Sequence, residues 1–567
     1  RLLDSLGTGT PKGALAAPLL FLGIATTAYG SAVASPTVWA SALLVLIAAA
    51  MLNERGAQRL CISPLSIGVA AYVVWVIVND FVNAAYTAAG IFHPAFLACG
   101  FVVGRTLEPQ ARAAAARAVV AGMALLALWA LWQSASGEGR AHAHFETPNT
   151  LATVLNLALA PMVLRIAYGD ERRTVLGMAG LLSAALVCTL SRGGFVALAV
   201  ALAAVVLLSR SRPSSRGAVR MLSALAVGAT LGVLALQWPA WIGRASLSSE
   251  GPVRGIASTF AGTVAARMQL YRLALSAVSD HPLFGVGYLG FNALFEAGRA
   301  HVPSYAVENV TYFVHDDYLQ TLVELGVPGF AMLVAVVALP FWLARASPRS
   351  VKDRLSLRAA LAGIAVMAIH AVADFPFYVP ICLLLFGALL GEVDRLVAPE
   401  QPVAQPMLSD ARARAAKFAG AAVLAMIVLP PPIAEATAAF GDRSWRTGDA
   451  RAAAFAFELA RRFQARDWRY HWYAAQFWYA QAMLTGKREH ADLADLAFAA
   501  AMEANPSEPR AVLGRLATQL RFAAVLGERQ APQTLRAWAD RALALAPLNP
   551  SVQKDYAAAL ARLGSAP

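Results

Sequence analysis

The sequence predicts an all-α, polytopic membrane protein, and three observations carry that reading. Of its 567 residues, 58% are hydrophobic and 14% charged, against about 45–50% and about 25% in soluble globular chains; mean hydropathy is +0.55. The apolar residues fall in runs of about 20, long enough for a helix to cross a bilayer and too long for a barrel strand. Basic residues cluster after every second run, the charge pattern of membrane topology.

Thirteen runs stand out, at about 14–34, 36–52, 65–82, 88–104, 113–134, 149–167, 173–190, 193–209, 217–238, 326–347, 354–373, 376–395 and 413–432, so 12–13 transmembrane helices are expected. Arg55 and Arg59 follow the second run, and Arg105 and Arg112 the fourth. Arg165, Arg172 and Arg173 follow the sixth, and Arg210, Arg212, Arg216 and Arg220 the eighth. Arg345, Arg349, Lys352, Arg354 and Arg358 follow the tenth, and Arg395, Arg412, Arg414 and Lys417 the twelfth. The odd-numbered short connections are nearly bare apart from Arg140 and Arg192. The even connections are therefore expected in the cytoplasm and the odd ones outside. The net charge of +13 belongs to this loop pattern, and nucleic acid is not an expected partner. Cys61, Cys99, Cys188 and Cys382 lie in or beside apolar runs without CxxC spacing, which argues against a disulfide frame or a zinc site.

Four regions follow: a bundle of nine spans over 1–238, an outer loop over 239–325, spans ten to thirteen over 326–433, and an outer helical tail over 434–567. Within the loop, 264–280 has the period of an amphipathic helix, with Val264, Met268, Tyr271, Leu275 and Val278 on one stripe. In the Ala-rich tail, Ala501 to Pro509 and Ala542 to Pro550 match at an offset of 41 and end in equivalent prolines. The tail resembles tetratricopeptide-like hairpins, whose stacks offer a concave binding surface to a protein partner. Its aromatic cluster, Trp468, Tyr470, Trp472, Tyr473, Phe477, Trp478 and Tyr479, has two readings: packing within the hairpin, or stacking on sugars.

The chain's chemistry is concentrated in the stretch from His315 through Asp316, Asp317, Tyr318 and Glu324 to Gly326 and Gly329, where ionisable groups run into a long apolar segment. Such groups at a membrane edge are a functional-site hypothesis. Topology would bring two arginines to the same face: Arg192, in the Ser191-Arg192-Gly193-Gly194 turn between spans seven and eight, and Arg267, on the amphipathic helix. Arg272 is a rival to Arg267 five residues on. Arginine grips phosphate bidentately and keeps its charge, and histidine is suited to take a proton from a hydroxyl. Asp316 or Asp317 would orient the imidazole. Plainer readings stand beside these: a snorkelling Arg192, a solvated Arg267, and a His315 capped by its neighbours. Asp316 with Asp317, or His142 with His144 and Glu146, would be alternative cation sites, but no metal or cofactor is expected. Asp80 and Asp374, at span edges, would line the cavity or be solvated.

The stretch resembles the signature of the O-antigen ligase and polymerase superfamily, which includes bacterial protein O-oligosaccharyltransferases: His315, a polar residue at Asp316 where Asn is common, then Gly326 and Gly329. The Ser191 to Gly194 turn, the segment from Arg267 to Gly287, and Thr147-Pro148-Asn149-Thr150-Leu151 are similar to further elements of that family over roughly residues 140–395. The resemblance implies a C-type glycosyltransferase that moves a glycan from a polyprenyl pyrophosphate to an acceptor hydroxyl, without metal and with inversion, at the periplasmic face of the bacterial inner membrane. It implies His315 as base and Arg192 and Arg267 as pyrophosphate ligands. Asp316, Asp317, Arg272, Asn149 and Tyr318 are expected to contact substrate. The acceptor is expected to be a saccharide, with a protein side chain as the alternative and a transporter as the rival class. A transporter predicts charges buried along a pathway through the spans.

Overall fold

A computed structural model describes residues 36–52, 62–83, 88–107, 109–170, 172–209, 212–241, 267–298, 313–345, 350–398, 429–527, 529–547 and 549–564, with isolated positions 19, 22, 23, 415, 419 and 426. Among these residues 83% are helical and none forms a strand. The bundle comprises α1 (Pro36–Leu52), α2 (Pro64–Val82), α3 (Ala88–Thr106), α4 (Pro109–Ser136), α5 (Pro148–Ala167), α6 (Arg173–Thr189), α7 (Arg192–Leu208) and α8 (Ser215–Trp241). After α9 (267–280) and α10 (Phe291–Gly298) it continues with α11 (Asp317–Leu343), α12 (Val351–His370) and α13 (Pro380–Val397).

Among the described residues six helices are long and apolar enough to cross a membrane: α2, most of α3, α4, α5, α8 and α11; α6 and α7 are apolar but 17 residues each. Eleven of the thirteen apolar runs hold a helix. The other two, 14–34 and 413–432, lie outside the described residues except at isolated positions. Local chemistry sets many of the starts. Proline takes the first helical position of α2 and α5, where its missing N–H costs nothing, after Ser63 and Thr147, whose side chains accept backbone N–H groups as N-caps.

Small residues let helix backbones meet. A Cβ on Gly100 or Gly104 of α3 would overlap the Leu384 or Ala388 carbonyl of α13, and Gly387 and Gly391 face Leu97 and Phe101 reciprocally. Gly228 and Gly232 of α8 face Gly180 and Ala184 of α6 in the same way. Within a bilayer, where apolar transfer no longer drives association, such close approach is what holds helices together. Successive helices reverse direction, so Asn149, Arg192, Asp317 and His370 lie at one end of the bundle. Arg105 and Asp394, ion-paired at 2.8 Å, lie at the other, with Arg165 near Asp170. At 1.5 Å per residue the two ends are about 25 Å apart.

The helix expected from 326 instead begins at Asp317, and Gly326 (φ 68°, ψ −176°) kinks it. Pro328 has no N–H for the Glu324 carbonyl, which accepts Gly287 N–H at 3.0 Å instead. Val323 O accepts Val286 N–H, Val327 N–H turns outward to Pro282 O at 2.8 Å, and the Leu325 carbonyl takes the Trp75 indole N–H at 2.9 Å. A Cβ on Gly326 would collide with the Leu283 carbonyl. The 281–287 loop is thus plugged into the kink, with Phe284 stacked on Trp75 and its carbonyl bonded by Asn79 of α2.

The stripe expected on 264–280 is rotated in the fold. Leu270, Ala274 and Ala277 are buried against Phe291, Phe295, Val314 and Val323, while Met268 and Leu275 are exposed and Val264 lies outside the described residues. Beyond 429 come α14 (Pro430–Arg446), α15 (Ala450–Phe463), α16 (Trp468–Thr485), α17 (Arg488–Ala504), α18 (Pro509–Arg521), α19 (Pro532–Leu545) and α20 (Pro550–Gly564), each packed on the next. The offset of 41 is structural: α17 and α19 end at Ala504 and Leu545, and α18 and α20 begin at Pro509 and Pro550.

Candidate active site

The site is built on the first turn of α11. His315 stands just before it with φ 63°, a left-handed conformation that His tolerates better than most residues. Asp316 caps the helix, its Oδ1 accepting both Tyr318 and Leu319 N–H at 3.0 Å. Asp317 donates its N–H to Ala371 O at 2.8 Å, and its buried Oδ2 accepts Phe377 N–H at 2.7 Å. Tyr318 Oη donates to Ala368 O at 2.9 Å. Together these bonds clamp α11 to the segment from the end of α12 through the 3₁₀ turn Pro376–Tyr378. Glu324, fully buried, accepts from Gln320, Phe291 N–H and Tyr378 Oη and ties the same turn to α10.

The clamp brings Asp374, 2% exposed, opposite His315, with Oδ1 3.6 Å from Nδ1. This is just beyond hydrogen-bond length. Phe375 packs against the imidazole. From the other side Tyr271 Oη donates to the His315 carbonyl at 3.3 Å. Arg267 lies four residues before Tyr271, on the same face of α9. Arg267 acts electrostatically on Asp316, whose carboxyl is held above its ordinary range by burial, with the two backbone bonds and Arg267 pulling it down.

A second corner forms at the start of α7. Leu190, left-handed at φ 50°, ends α6, and Ser191 Oγ caps α7 by accepting Gly194 N–H at 3.2 Å. The buried Asn156 amide of α5 donates to Gly194 O at 2.8 Å. His370 of α12 fits against this turn. A Cβ on Gly193 would lie 3.1 Å from its Nε2, and its Nδ1 shares a 2.6 Å bond with Thr153 Oγ1 of α5. Arg192 is the first residue after the cap and is exposed. Beside it Arg140 donates Nε–H to Thr189 O at 3.0 Å and Nη2 to Asn149 Oδ1 at 3.3 Å. Burial, then the neighbouring Arg192, lower the Arg140 pKa, and Asp374 opposes them. His370 feels both Asp374 and Arg267. The two corners are therefore electrostatically coupled: Arg140 acts with Arg192 and Asp374, and His370 with Asp374 and Arg267.

Asp316 caps the helix and Asp317 accepts Phe377 N–H, and the carboxylate facing His315 is Asp374 rather than either of them. Asp317 and Tyr318 are struts of the scaffold, with the carboxylate fully buried and the phenol bonded to α12. Arg272 is exposed and lies about 500° of helical rotation beyond Arg267, on another face. Asn149 accepts the Arg140 guanidinium at 3.3 Å. Asp80 and Asp374, read as cavity-lining or solvated, are both buried. His142 and His144 are engaged by Phe145, through a 2.8 Å bond and a ring contact respectively.

Arg140 and His370 entered no proposed site from sequence. Arg140 was signalled only as a cation in an otherwise bare loop, and His370 only as a histidine at the end of an apolar run.

The fold and site together define a multi-pass α-helical membrane protein with a cationic, histidine-bearing site at one end of its bundle. Residues 177–334 match the family model described as O-antigen ligase. That stretch, which holds Arg192, Arg267 and His315, is similar to the O-antigen ligase family, and the similarity supports glycosyl transfer of the ligase and polymerase kind in general terms. Arg140, Asn149, His370 and Asp374 lie outside it. No curated protein matches the chain.

Proposed function

We propose that the protein transfers an oligosaccharide from a polyprenyl-pyrophosphate carrier to an acceptor hydroxyl at the periplasmic face of the bacterial inner membrane. What supports this reading is the His315–Asp374 pair at the end of the bundle that also carries Arg140 and Arg192, with Arg267 coupled to the neighbouring Asp316. Fixed cations there would hold the pyrophosphate and neutralise the charge that grows as it leaves. His315 takes the acceptor proton while the acceptor oxygen attacks the anomeric carbon. The bond from that carbon to the pyrophosphate oxygen breaks, and the configuration inverts. Asp374 holds the imidazole in orientation and stabilises it once protonated. These steps need no metal.

The acceptor is a saccharide in this reading. A serine or threonine of a periplasmic protein is the second acceptor class, favoured by the helical hairpins of the tail, which resemble the partner-binding repeats of tetratricopeptide domains. The transporter reading is weaker, because among the described residues Asp317 and Glu324 are engaged with the scaffold and, with Asp374, lie at one end of the bundle rather than along a path across it. The test is transfer in vitro by purified protein, from lipid-linked glycan to candidate acceptors, with chelator present. Turnover that survives in wild type and is lost in His315→Ala supports the reading; turnover retained by His315→Ala overturns it.

A further inference from the structure

We propose that a cleft between α14, α15 and α16 is a saccharide-binding subsite that holds an uncharged stretch of glycan. The proposal rests on the glycosyl-transfer reading for its choice of ligand. The cavity has a volume of about 510 Å³, within the usual range for small-molecule sites of about 300–1,000 Å³. Its walls carry aromatic faces: Trp445 and Trp472, with Tyr473 40% exposed. Trp445 is fixed by edge contacts to Phe457 and Phe477 behind it. Trp472 is held by an edge contact to Trp468 and stands beside Tyr473.

Charge decides the ligand class. Glu435 and Asp442 on the lining are balanced by Arg446 and Arg469. Asp442 is paired with Arg446 at 2.8 Å, and Arg469 is bidentate to Asp467. A balanced lining offers little to a phosphate or an acidic peptide. It suits a molecule with flat C–H faces and a rim of hydroxyls that both donate and accept, which is the surface of a pyranose. Flat rings cover the faces, and carboxylate and guanidinium pairs meet the rim.

Placement makes the cleft useful to the reaction. The Arg466 guanidinium lies 5.8 Å from the centre of the Phe81 ring, in the last turn of α2, and α14 packs on α1. Phe81 follows Asn79, which holds the 281–287 loop, so the C-terminal unit joins the bundle at the end that carries His315.

The test uses the full-length protein in lipid nanodiscs. Oligosaccharide released by mild acid from the producing cell's lipid-linked pool is titrated and read by saturation-transfer NMR, beside a Ser/Thr-rich peptide. The oligosaccharide is expected to bind wild type and His315→Ala alike, and about tenfold more weakly to Tyr473→Ala and to Asp442→Ala. Melting curves confirm that both cleft variants fold. Absence of binding to wild type, binding untouched by both cleft variants, or cleft-dependent binding of the peptide in its place would each overturn the proposal. Glycan transfer is measured on the same preparations. Transfer without cleft-dependent binding removes the subsite alone, whereas cleft-dependent binding without transfer keeps the subsite and removes the catalytic reading alone.

Discussion

Replacing Asp374 by Asn keeps the shape of the side chain and removes its charge, so it isolates what the carboxylate does for His315. The two groups are 3.6 Å apart, with side chains 2% and 25% exposed. At an effective dielectric near 20, unit charges at that distance attract by about 4.6 kcal/mol. The partly exposed imidazole is screened by solvent, and about half of that is a fair expectation for the protonated histidine that forms during transfer. At 1.36 kcal/mol per factor of ten, Asp374→Asn should lower kcat by roughly 10²-fold. In the proposed reading the donor meets the arginines and not Asp374, so KM for the lipid-linked glycan should change little. Single-turnover transfer with saturating donor reads the first quantity and a donor titration the second. Asp374→Glu should recover part of the rate if the charge is what matters. A kcat within threefold of wild type, or a loss seen only in KM, would refute the assignment of Asp374 as the partner of the base.

Other outcomes follow from the same geometry. Arg140→Ala, which leaves Asn149 and the α6 carboxyl end without their guanidinium partner, should raise KM for donor about tenfold and weaken donor binding further when combined with Arg192→Ala; an unchanged titration would remove Arg140 from the site. Gly326→Ala forces a side chain into a backbone region kept for glycine, at a cost of about 1–3 kcal/mol, and into the Leu283 carbonyl. It should lower the unfolding temperature and free the 281–287 loop to hydrogen exchange, and a silent substitution would contradict the plugged kink. His144 has its pKa lowered below the ordinary 6.5 by burial and then by His142. Its neutral form therefore contributes stability that is present above pH 6.5 and lost as pH falls through the depressed value. Protection factors in 140–147, corrected for the intrinsic pH dependence of exchange, should fall between pH 7.5 and pH 5, and His144→Phe should abolish that fall.

The helical bundle was legible because length and hydrophobicity alone demand it: a run of about 20 apolar residues has few other fates. The alternation of basic connections was legible for a related reason, since it records which ends of the helices share a side. Together they sufficed to bring Arg192, Arg267 and His315 to one end. What escaped depends on packing between segments distant in sequence. Asp374 faces His315 only because Asp317 holds the Phe377 N–H and fixes the turn after α12, and adjacency in sequence pointed instead to Asp316. On α9 the larger residues Met268 and Leu275 attracted the stripe, whereas Ala274 and Ala277, small enough for close approach to Phe291 and Phe295, face the core. Likewise Gly326 and Pro328 read as the start of a span and are a kink within one, since nothing local announces that the 281–287 loop will take over its hydrogen bonds.

The central claim is that separated stretches of chain meet around one leaving group. Its most direct test is a structure of the full-length protein, with His315→Ala to prevent turnover, bound to a polyprenyl-pyrophosphate-linked glycan. The account predicts phosphate oxygens within hydrogen-bond reach of the Arg192 and Arg267 guanidinium groups, with the anomeric carbon facing the position vacated by the imidazole. A pyrophosphate seated at the Arg105–Asp394 end of the bundle, or touching neither arginine, would contradict it.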